Sequence, residues 1–366
     1  MQKKIKIGII GLGTIGSAHY KRIKNIPEFE IAGLADANAA VMKDYAEAKF
    51  ATGLELINKG GLDAVLIATP HFDHVPLGLA ALKKGLHVLV EKPVAVEVKE
   101  ARKLVAAHTD KTRVLAVMFN CRASPVNKKM REMVMAGELG TIQRVSMVVT
   151  HWFRPESYFK SSGWRATWAG EGGGVLLNQA PHSLDLLQWI AGMPSKVTAY
   201  VGFGKRHDIE VEDEVTALLE YPTGATGMFV TSTGEAPGVN RIEVAGDRGL
   251  LVCDNGVLTF TRNEIGTKQY SAATSEWFSK PSVWNVSIPV SEQGVDGHSE
   301  IFKNFRDAIL EGTALVASGE EGVASLELAN AMLMSGFTGK SVTLPLNASA
   351  YGRELAKRIK TSRYKG

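Results

Sequence analysis

The segment Gly11-Leu12-Gly13-Thr14-Ile15-Gly16 limits what this chain can fold into more than any other feature. It has the spacing G-x-G-x-x-G, follows the apolar run 5–10, and opens a segment with helical spacing over 15–24. A second apolar run, 31–35, stops at Asp36, about twenty residues past Gly16, where a carboxylate for a ribose belongs. Each position has a steric reason. Gly11 permits a tight strand-to-helix turn, Gly13 lets the backbone approach a pyrophosphate, and Gly16 lets the helix lie against the strand. The helix N-terminus, with Thr14 and Ile15 in its first turn, offers N–H groups and the positive end of its dipole to an anion. The pattern predicts a dinucleotide site formed by Gly11, Gly13, Thr14, Ile15, Gly16 and Asp36. Asp36 would accept hydrogen bonds from ribose hydroxyls and repel a 2′-phosphate. Ala37 and Asn38 bring no cation to hold that phosphate, so the expected cofactor is NAD rather than NADP.

The rest of this region repeats the alternation. Apolar runs at 64–68, 86–90 and 114–118 are separated by helical segments such as 75–84 and 98–108. Continuous apolar strands divided by helices indicate a parallel sheet covered on both faces. Residues 1–122 are therefore expected to form a doubly wound α/β Rossmann domain. Near Ser124-Pro125 the character changes. One more helix, 126–136, precedes longer alternating strands at 145–151, 197–203, 215–221, 226–231 and 242–245, and helices return at 183–191, 301–311 and 323–336. Runs of strands without intervening helices suggest a large, mostly antiparallel sheet. Residues 123–366 are expected to form an α+β domain.

Composition removes several classes of function. Two cysteines, Cys121 and Cys253, build no disulfide framework and lack zinc spacing, which fits a reducing cytoplasm. No apolar run reaches the ~18 residues of a membrane helix. The start, MQKKIKIGIIGLG, imitates a secretory leader, but glycines interrupt it, and it runs into His19, Lys21 and Arg22 without a small-x-small cleavage site. It reads as a strand. The net charge of +4 comes from the C-terminal end, where Arg353, Lys357, Arg358, Lys360, Arg363 and Lys365 face only Glu354. No basic face for nucleic acid is implied, and no membrane surface either.

Further motifs follow in order: Thr69-Pro70-His71 with His74 beyond it, Glu91-Lys92-Pro93, Asn120-Cys121-Arg122, Trp164-Arg165, and Gly172-Gly173-Gly174 leading to Asn178-Gln179-Ala180-Pro181-His182 and Asp185. With the fingerprint, this set resembles the Gfo/Idh/MocA oxidoreductases, the family of glucose–fructose oxidoreductase and inositol dehydrogenase. The resemblance runs through Gly246 to Ser335-Gly336 and Gly339-Lys340, nearly the whole chain. It implies Lys92 beside the nicotinamide and the reacting hydroxyl, His182 as acid–base group, and Asp185 as its polar partner. It also implies that Thr69, Pro70, His71, His74, Glu91, Lys92, Asn120 and Arg165 complete the cofactor site. Arg122, Trp152, Trp164 and Asn178 would line the substrate together with Lys92 and His182. The family further implies a homo-oligomer, dimer or tetramer, built on the second domain's sheet. The sequence departs from the commonest pattern at Asn178, where the family has aspartate, and at Ala180, where it has glycine. An amide cannot take a proton, so that task falls to His182.

The residues support these roles on their own chemistry. Lys92 would stand at the carboxyl end of a strand, where open α/β sheets bind ligands. His182 and Asp185, three apart on a helix, share a face. His71 and His74 have the spacing of a metal pair, yet no third ligand follows, so no metal is expected. Trp152, Trp164 and Trp168 crowd together with Phe153, Tyr158 and Phe159. They either stack on the C–H faces of a sugar or fill a core, and both remain open. Trp277 and Trp284 are read as scaffold. The expected reaction is reversible, NAD-dependent oxidation of a secondary hydroxyl of a sugar, glycoside or cyclitol. Two alternatives stand beside it: a glycoside hydrolase or lyase working by transient oxidation with retained NAD, and a non-catalytic NAD-binding regulator.

Overall fold

The structure, a computed structural model, describes residues 4–291 and 293–364. Met1, Gln2 and Lys3 of the leader-like start, and the basic Lys365, lie outside the described residues. The chain folds into two units. One holds Met1–Ala123, Gly170–Gly172 and Asp296–Leu326, and the other holds Ser124–Ala169, Gly173–Val295 and Glu327–Gly366.

The first unit contains β1 (Ile5–Ile10), β2 (Phe29–Ala35), β3 (Ala48–Phe50), β4 (Ala64–Ile67), β5 (His87–Val90) and β6 (Leu115–Val117). They form one parallel sheet in the order β3-β2-β1-β4-β5-β6. Every residue of β4, β5 and β6 is buried, which is why those runs are apolar without alternation. The order reverses at β1, so the crevice beyond its carboxyl end is the expected ligand position in an open α/β sheet. Helices Thr14–Lys24, His74–Lys83 and Val98–Ala107 connect successive strands.

The segment that returns to this unit corrects the single boundary near residue 122. Helix Gly297–Glu311 contributes Ile301, Phe302 and Phe305 to the same buried cluster as Ile7, Ile9, Leu66 and Leu89. Fully burying an aliphatic or aromatic side chain is worth roughly 1.5–3 kcal/mol. Three such side chains on one helix face hold it to this unit, whatever its place in the chain order.

The second unit contains β7 (Ile142–Val149), β8 (Lys196–Phe203), β9 (Glu212–Glu220), β10 (Thr226–Ser232), β11 (Asn240–Gly246), β12 (Gly249–Asp254), β13 (Val257–Asn263), β14 (Val283–Val286) and β15 (Val342–Thr343). They make one sheet ordered β14-β13-β12-β11-β7-β10-β9-β8-β15. All pairs are antiparallel except β7 with β10. Burial alternates along β9: Val215, Ala217 and Leu219 are buried, whereas Leu218 and Glu220 are exposed. Helices Pro125–Met135 and Pro181–Ala191 pack on the covered side against β7, β12 and β13. No helix among the described residues is long and apolar enough to cross a membrane.

Candidate active site

In the first unit, the turn after β1 has the geometry the fingerprint requires. Gly11 has φ +91°, and a Cβ there would lie 2.5 Å from the Ala68 carbonyl oxygen. A Cβ on Gly16 would lie 1.9 Å from the Gly11 oxygen, so helix and turn could not keep this spacing. Around Gly13 a Cβ would meet no atom within 4 Å. Steric need inside the protein accounts for Gly11 and Gly16 but not for Gly13. Open space there is what a pyrophosphate approaching the backbone needs. Gly13 caps helix Thr14–Lys24 without any side-chain cap, and Ile15 is partly exposed beside it. At the end of β2, Asp36 accepts the Leu12 N–H through Oδ2 at 2.7 Å and the Asn38 N–H through Oδ1 at 2.8 Å. Two more polar atoms await partners: Thr69 Oγ1 after β4 and Asn120 Oδ1 after β6 are buried and have no hydrogen-bond partner among the described residues. The residues present fit a dinucleotide.

The neighbouring strand ends are tied together by side chains. His74 is fully buried, with Nδ1 2.8 Å from the Pro93 carbonyl and Nε2 2.9 Å from that of Thr69. Burial pushes its pKa below the ordinary histidine value, against the pull of both carbonyls. The ring thus sits between the backbone turns that carry Thr69 and Lys92. His71, also buried, places Nδ1 3.1 Å from the Glu171 carbonyl, and Pro70 before it is exposed. Glu91 is buried as well. Its Oε1 lies 2.5 Å from His19 Nε2, and its Oε2 accepts the Lys92 N–H at 3.0 Å, so the carboxylate faces inward. Lys92 follows β5 and is half-buried.

Arg122 is held inside the first unit. Its side chain is 0 % exposed, donates to Glu321 Oε1 at 2.6 Å and to the Val316 carbonyl at 3.1 Å, and lies by the Phe119 ring. A bridge between Ala116 and Ser318 brings the chain before Glu321 alongside β6. The guanidinium therefore finds its carboxylate inside the unit. Among the described residues no group of three or more His, Cys, Asp or Glu side chains could hold a metal ion.

In the second unit, buried Glu212 at the start of β9 accepts the N–H groups of Gly174 (2.8 Å) and Leu176 (3.0 Å). A Cβ on Gly174 would lie 1.9 Å from the Glu212 backbone oxygen. This fixes the loop that delivers Asn178 and starts helix Pro181–Ala191. His182 stands half-buried in its first turn, while Asp185 is fully buried and accepts from Gln188 Nε2 at 3.1 Å. Tyr158 is a hub that sequence reasoning left among the aromatics. Its hydroxyl accepts from Arg165 at 2.8 Å and Gln179 at 3.3 Å, and points at Asn178 Oδ1 across 3.4 Å. The Arg165 guanidinium sits 4.7 Å from both the Tyr158 and Trp164 rings. The tryptophans separate. Trp168 is 5 % exposed and packs on Phe203 and Phe337, so it is core. Trp164 and Trp152 are half-buried, and Trp152 Nε1 is a buried donor without a partner among the described residues. Trp277 is 92 % exposed. Glu212 and Tyr158 had no motif of their own; only the aromatic crowding pointed toward Tyr158.

A nucleotide-binding Rossmann unit followed by a unit with a large mixed sheet defines a class of two-domain oxidoreductases. Residues 5–119 match the model of an oxidoreductase family with an NAD-binding Rossmann fold, and residues 127–252 match the GFO/IDH/MocA C-terminal domain. The chain belongs to the GFO/IDH/MocA family of NAD(P)-dependent oxidoreductases. It is 30% identical to the uncharacterized oxidoreductase YdgJ of Escherichia coli, over 69% of this chain and 72% of that protein. It is 24% identical to the inositol 2-dehydrogenase of Rhizobium meliloti, over 90% of this chain and 96% of that one. Among solved structures, the WlbA dehydrogenase of Bordetella pertussis in complex with NADH and UDP-GlcNAcA superposes with TM-score 0.79 at 25% identity, covering 94% of this chain and all of that one. The first unit carries the family's NAD-binding Rossmann fold.

Proposed function

We propose that this protein is a dehydrogenase that reversibly oxidises a secondary hydroxyl of a sugar, glycoside or cyclitol. The observation that carries the reading is the set of strand ends in the first unit. The open space at Gly13, the partnerless Thr69 Oγ1 and Asn120 Oδ1, and Lys92 all stand at the carboxyl edge of the sheet, beyond β1, β4, β6 and β5 in turn. One relative is named for its action on an inositol and another is solved with the sugar nucleotide UDP-GlcNAcA, both hydroxyl-rich molecules of this kind.

NAD, when bound, supplies the two-electron oxidant by accepting a hydride at its nicotinamide. The protein's own residues handle the proton and the oxygen. His182 takes the hydroxyl proton, a task Asn178 cannot share. Lys92, as an ammonium, stabilises the negative charge developing on that oxygen. Asn178 and Arg165, joined through Tyr158, present an amide and a guanidinium for sugar hydroxyls or the nicotinamide carboxamide. Asp36 sets the preference for NAD over NADP.

We also infer a homo-oligomer through the open face of the second unit's sheet, where Tyr200 is 78 % and Leu218 is 56 % exposed. Leu218 is opposite Met228 in the ladder, so the apolar surface continues across strands. Light scattering reads the mass directly.

The test of function is NADH formation across a panel of sugars, glycosides and inositols with NAD supplied. One polyol giving stoichiometric NADH supports the dehydrogenase. Cleavage of a glycoside with no net NADH would instead show the retained-NAD hydrolase or lyase. NAD binding without turnover on any member of the panel would favour the regulator.

A further inference from the structure

We propose that His19 is a positioning residue for Lys92, acting through the buried carboxylate of Glu91. His19 lies on helix Thr14–Lys24, one turn past the dinucleotide turn, and is 0 % exposed. Its Nε2 lies 2.5 Å from Glu91 Oε1, and the other carboxylate oxygen accepts the Lys92 N–H at 3.0 Å. His19 Nδ1 has no partner among the described residues, so the hydrogen bonding of the ring rests on Glu91.

The strand ladder explains why such a link is needed. Pairing of β5 with β6 ends at Val90 and Val117, the Glu91 N–H still reaches the Ile67 carbonyl, and Lys92 lies one residue beyond. Its backbone N–H is held by a side chain, and a side chain holds only as well as its own rotamer is fixed. A bond between imidazole and carboxylate in a buried setting is a charge-assisted one, shorter and stronger than a neutral bond, and it fixes that rotamer. The ring in turn is confined by Phe302, edge-on at 5.1 Å, and by His298 at 5.4 Å, both from helix Gly297–Glu311. One helix thus carries the turn expected to hold the pyrophosphate at its N-terminus and, one turn later, the donor that fixes the lysine strand end. The relay ties cofactor helix to catalytic strand end inside one unit.

The inference rests on Lys92 acting on the substrate, and its test has one arm independent of that. In the full chain labelled with ¹⁵N-lysine, amide hydrogen exchange of Lys92 reports the bond to Glu91 directly. Exchange should be protected in the native protein. It should quicken about tenfold or more in His19→Leu and return close to the native rate in His19→Gln, which keeps an N–H donor. The second arm is kinetic: with the polyol found in the panel, His19→Leu lowers kcat by about tenfold to a hundredfold while KM for NAD stays near native. Unchanged Lys92 exchange in His19→Leu overturns the proposal whatever the activity. Faster exchange with full kcat would show that the link holds the backbone without positioning Lys92 for turnover and so overturns the positioning role, whereas the role of Lys92 itself is read from Lys92→Ala. If His19→Leu does not fold, the native protein still decides, because a Lys92 amide exchanging like an exposed loop amide contradicts the link.

Discussion

Asp36 Oδ2 accepts the backbone N–H of Leu12 at 2.7 Å, so the carboxylate that ends β2 is bonded to the glycine-rich turn that ends β1. The same carboxylate holds the Asn38 N–H, which leaves it anchored, charged and half-exposed where a ribose is expected. Replacing it with Asp36→Ser and adding a cation with Asn38→Arg removes the repulsion of a 2′-phosphate and supplies a partner for it. A charge-assisted hydrogen bond is worth roughly 1.5–3 kcal/mol, so the NAD/NADP ratio of affinities should fall about tenfold to a hundredfold. Calorimetric titration with each cofactor reads this, and an unchanged ratio would mean that β2 does not select the cofactor.

Gly13 and Gly16 should respond differently to the same added methyl. Gly16→Ala drives a carbon against the Gly11 carbonyl oxygen and should disrupt the fold of the first unit. Gly13→Ala meets no protein atom, so its cost in stability should stay near the ~1 kcal/mol of a poorer helix cap. Its NAD affinity should nevertheless drop by more than about tenfold, because the methyl occupies the path of the pyrophosphate. Full NAD affinity in a folded Gly13→Ala protein would move the pyrophosphate elsewhere.

Trp164 and Trp168 divide by burial. Trp168→Ala empties a site between Phe203 and Phe337 and should cost about 3–5 kcal/mol of unfolding free energy. Trp164→Ala, at a half-buried ring against Arg165, should cost less than Trp168→Ala and should raise substrate KM with little change in NAD binding. Chemical denaturation separates the two, and equal losses would place Trp164 in the core as well.

Acid should weaken the fold before its carboxylates titrate. Burial, with His19 beside it, pushes His298 down to about 4, and burial together with Arg113 pushes His87 down to about 4. An unfolded histidine titrates near 6.5, so between about pH 6.5 and 4 the unfolded chain binds protons that the folded chain refuses. Stability from these groups is present above pH 6.5 and is lost as pH falls toward 4. For a shift of this size the upper limit is about 3 kcal/mol, and contact of the rings with solvent lowers it. Urea midpoints at pH 7.5 and pH 5 should therefore differ in the native chain and differ less in His298→Asn. Equal differences in both would remove His298 from the acid response.

Elements with a strong period were legible because burial on one or both faces writes itself into the sequence. Ile5–Ile10, Val98–Ala107 and Pro181–Ala191 are of this kind. The strands β3, β14 and β15 were not, being short and largely exposed, with β14 exposed at every residue and carrying no apolar alternation. The fingerprint, Asp36, Lys92 and His182 could be singled out because their motifs are local. What escaped was partnership across distance. Arg122 and Glu321, His19 and Glu91, and Trp168 and Phe337 are each far apart in the chain, and nothing in either local sequence names the other. The same blindness put helix Gly297–Glu311 in the wrong domain: its apolar face was visible, but the core it fills was not.

The central claim is that His182 takes the proton of the hydroxyl being oxidised while Lys92 steadies the oxygen. The most direct measurement is the kcat of NADH formation on the polyol identified in the panel, for His182→Ala, Lys92→Ala and the double variant, with NAD binding checked by calorimetry. Each single variant should lose about 10²–10⁴ in kcat, the usual worth of a positioned general acid–base group, with NAD binding retained in His182→Ala. The double variant should lose far less than the product of the two, because both groups serve one proton and one oxygen. Near-native turnover by His182→Ala would contradict the account, since the proton would then leave by another route.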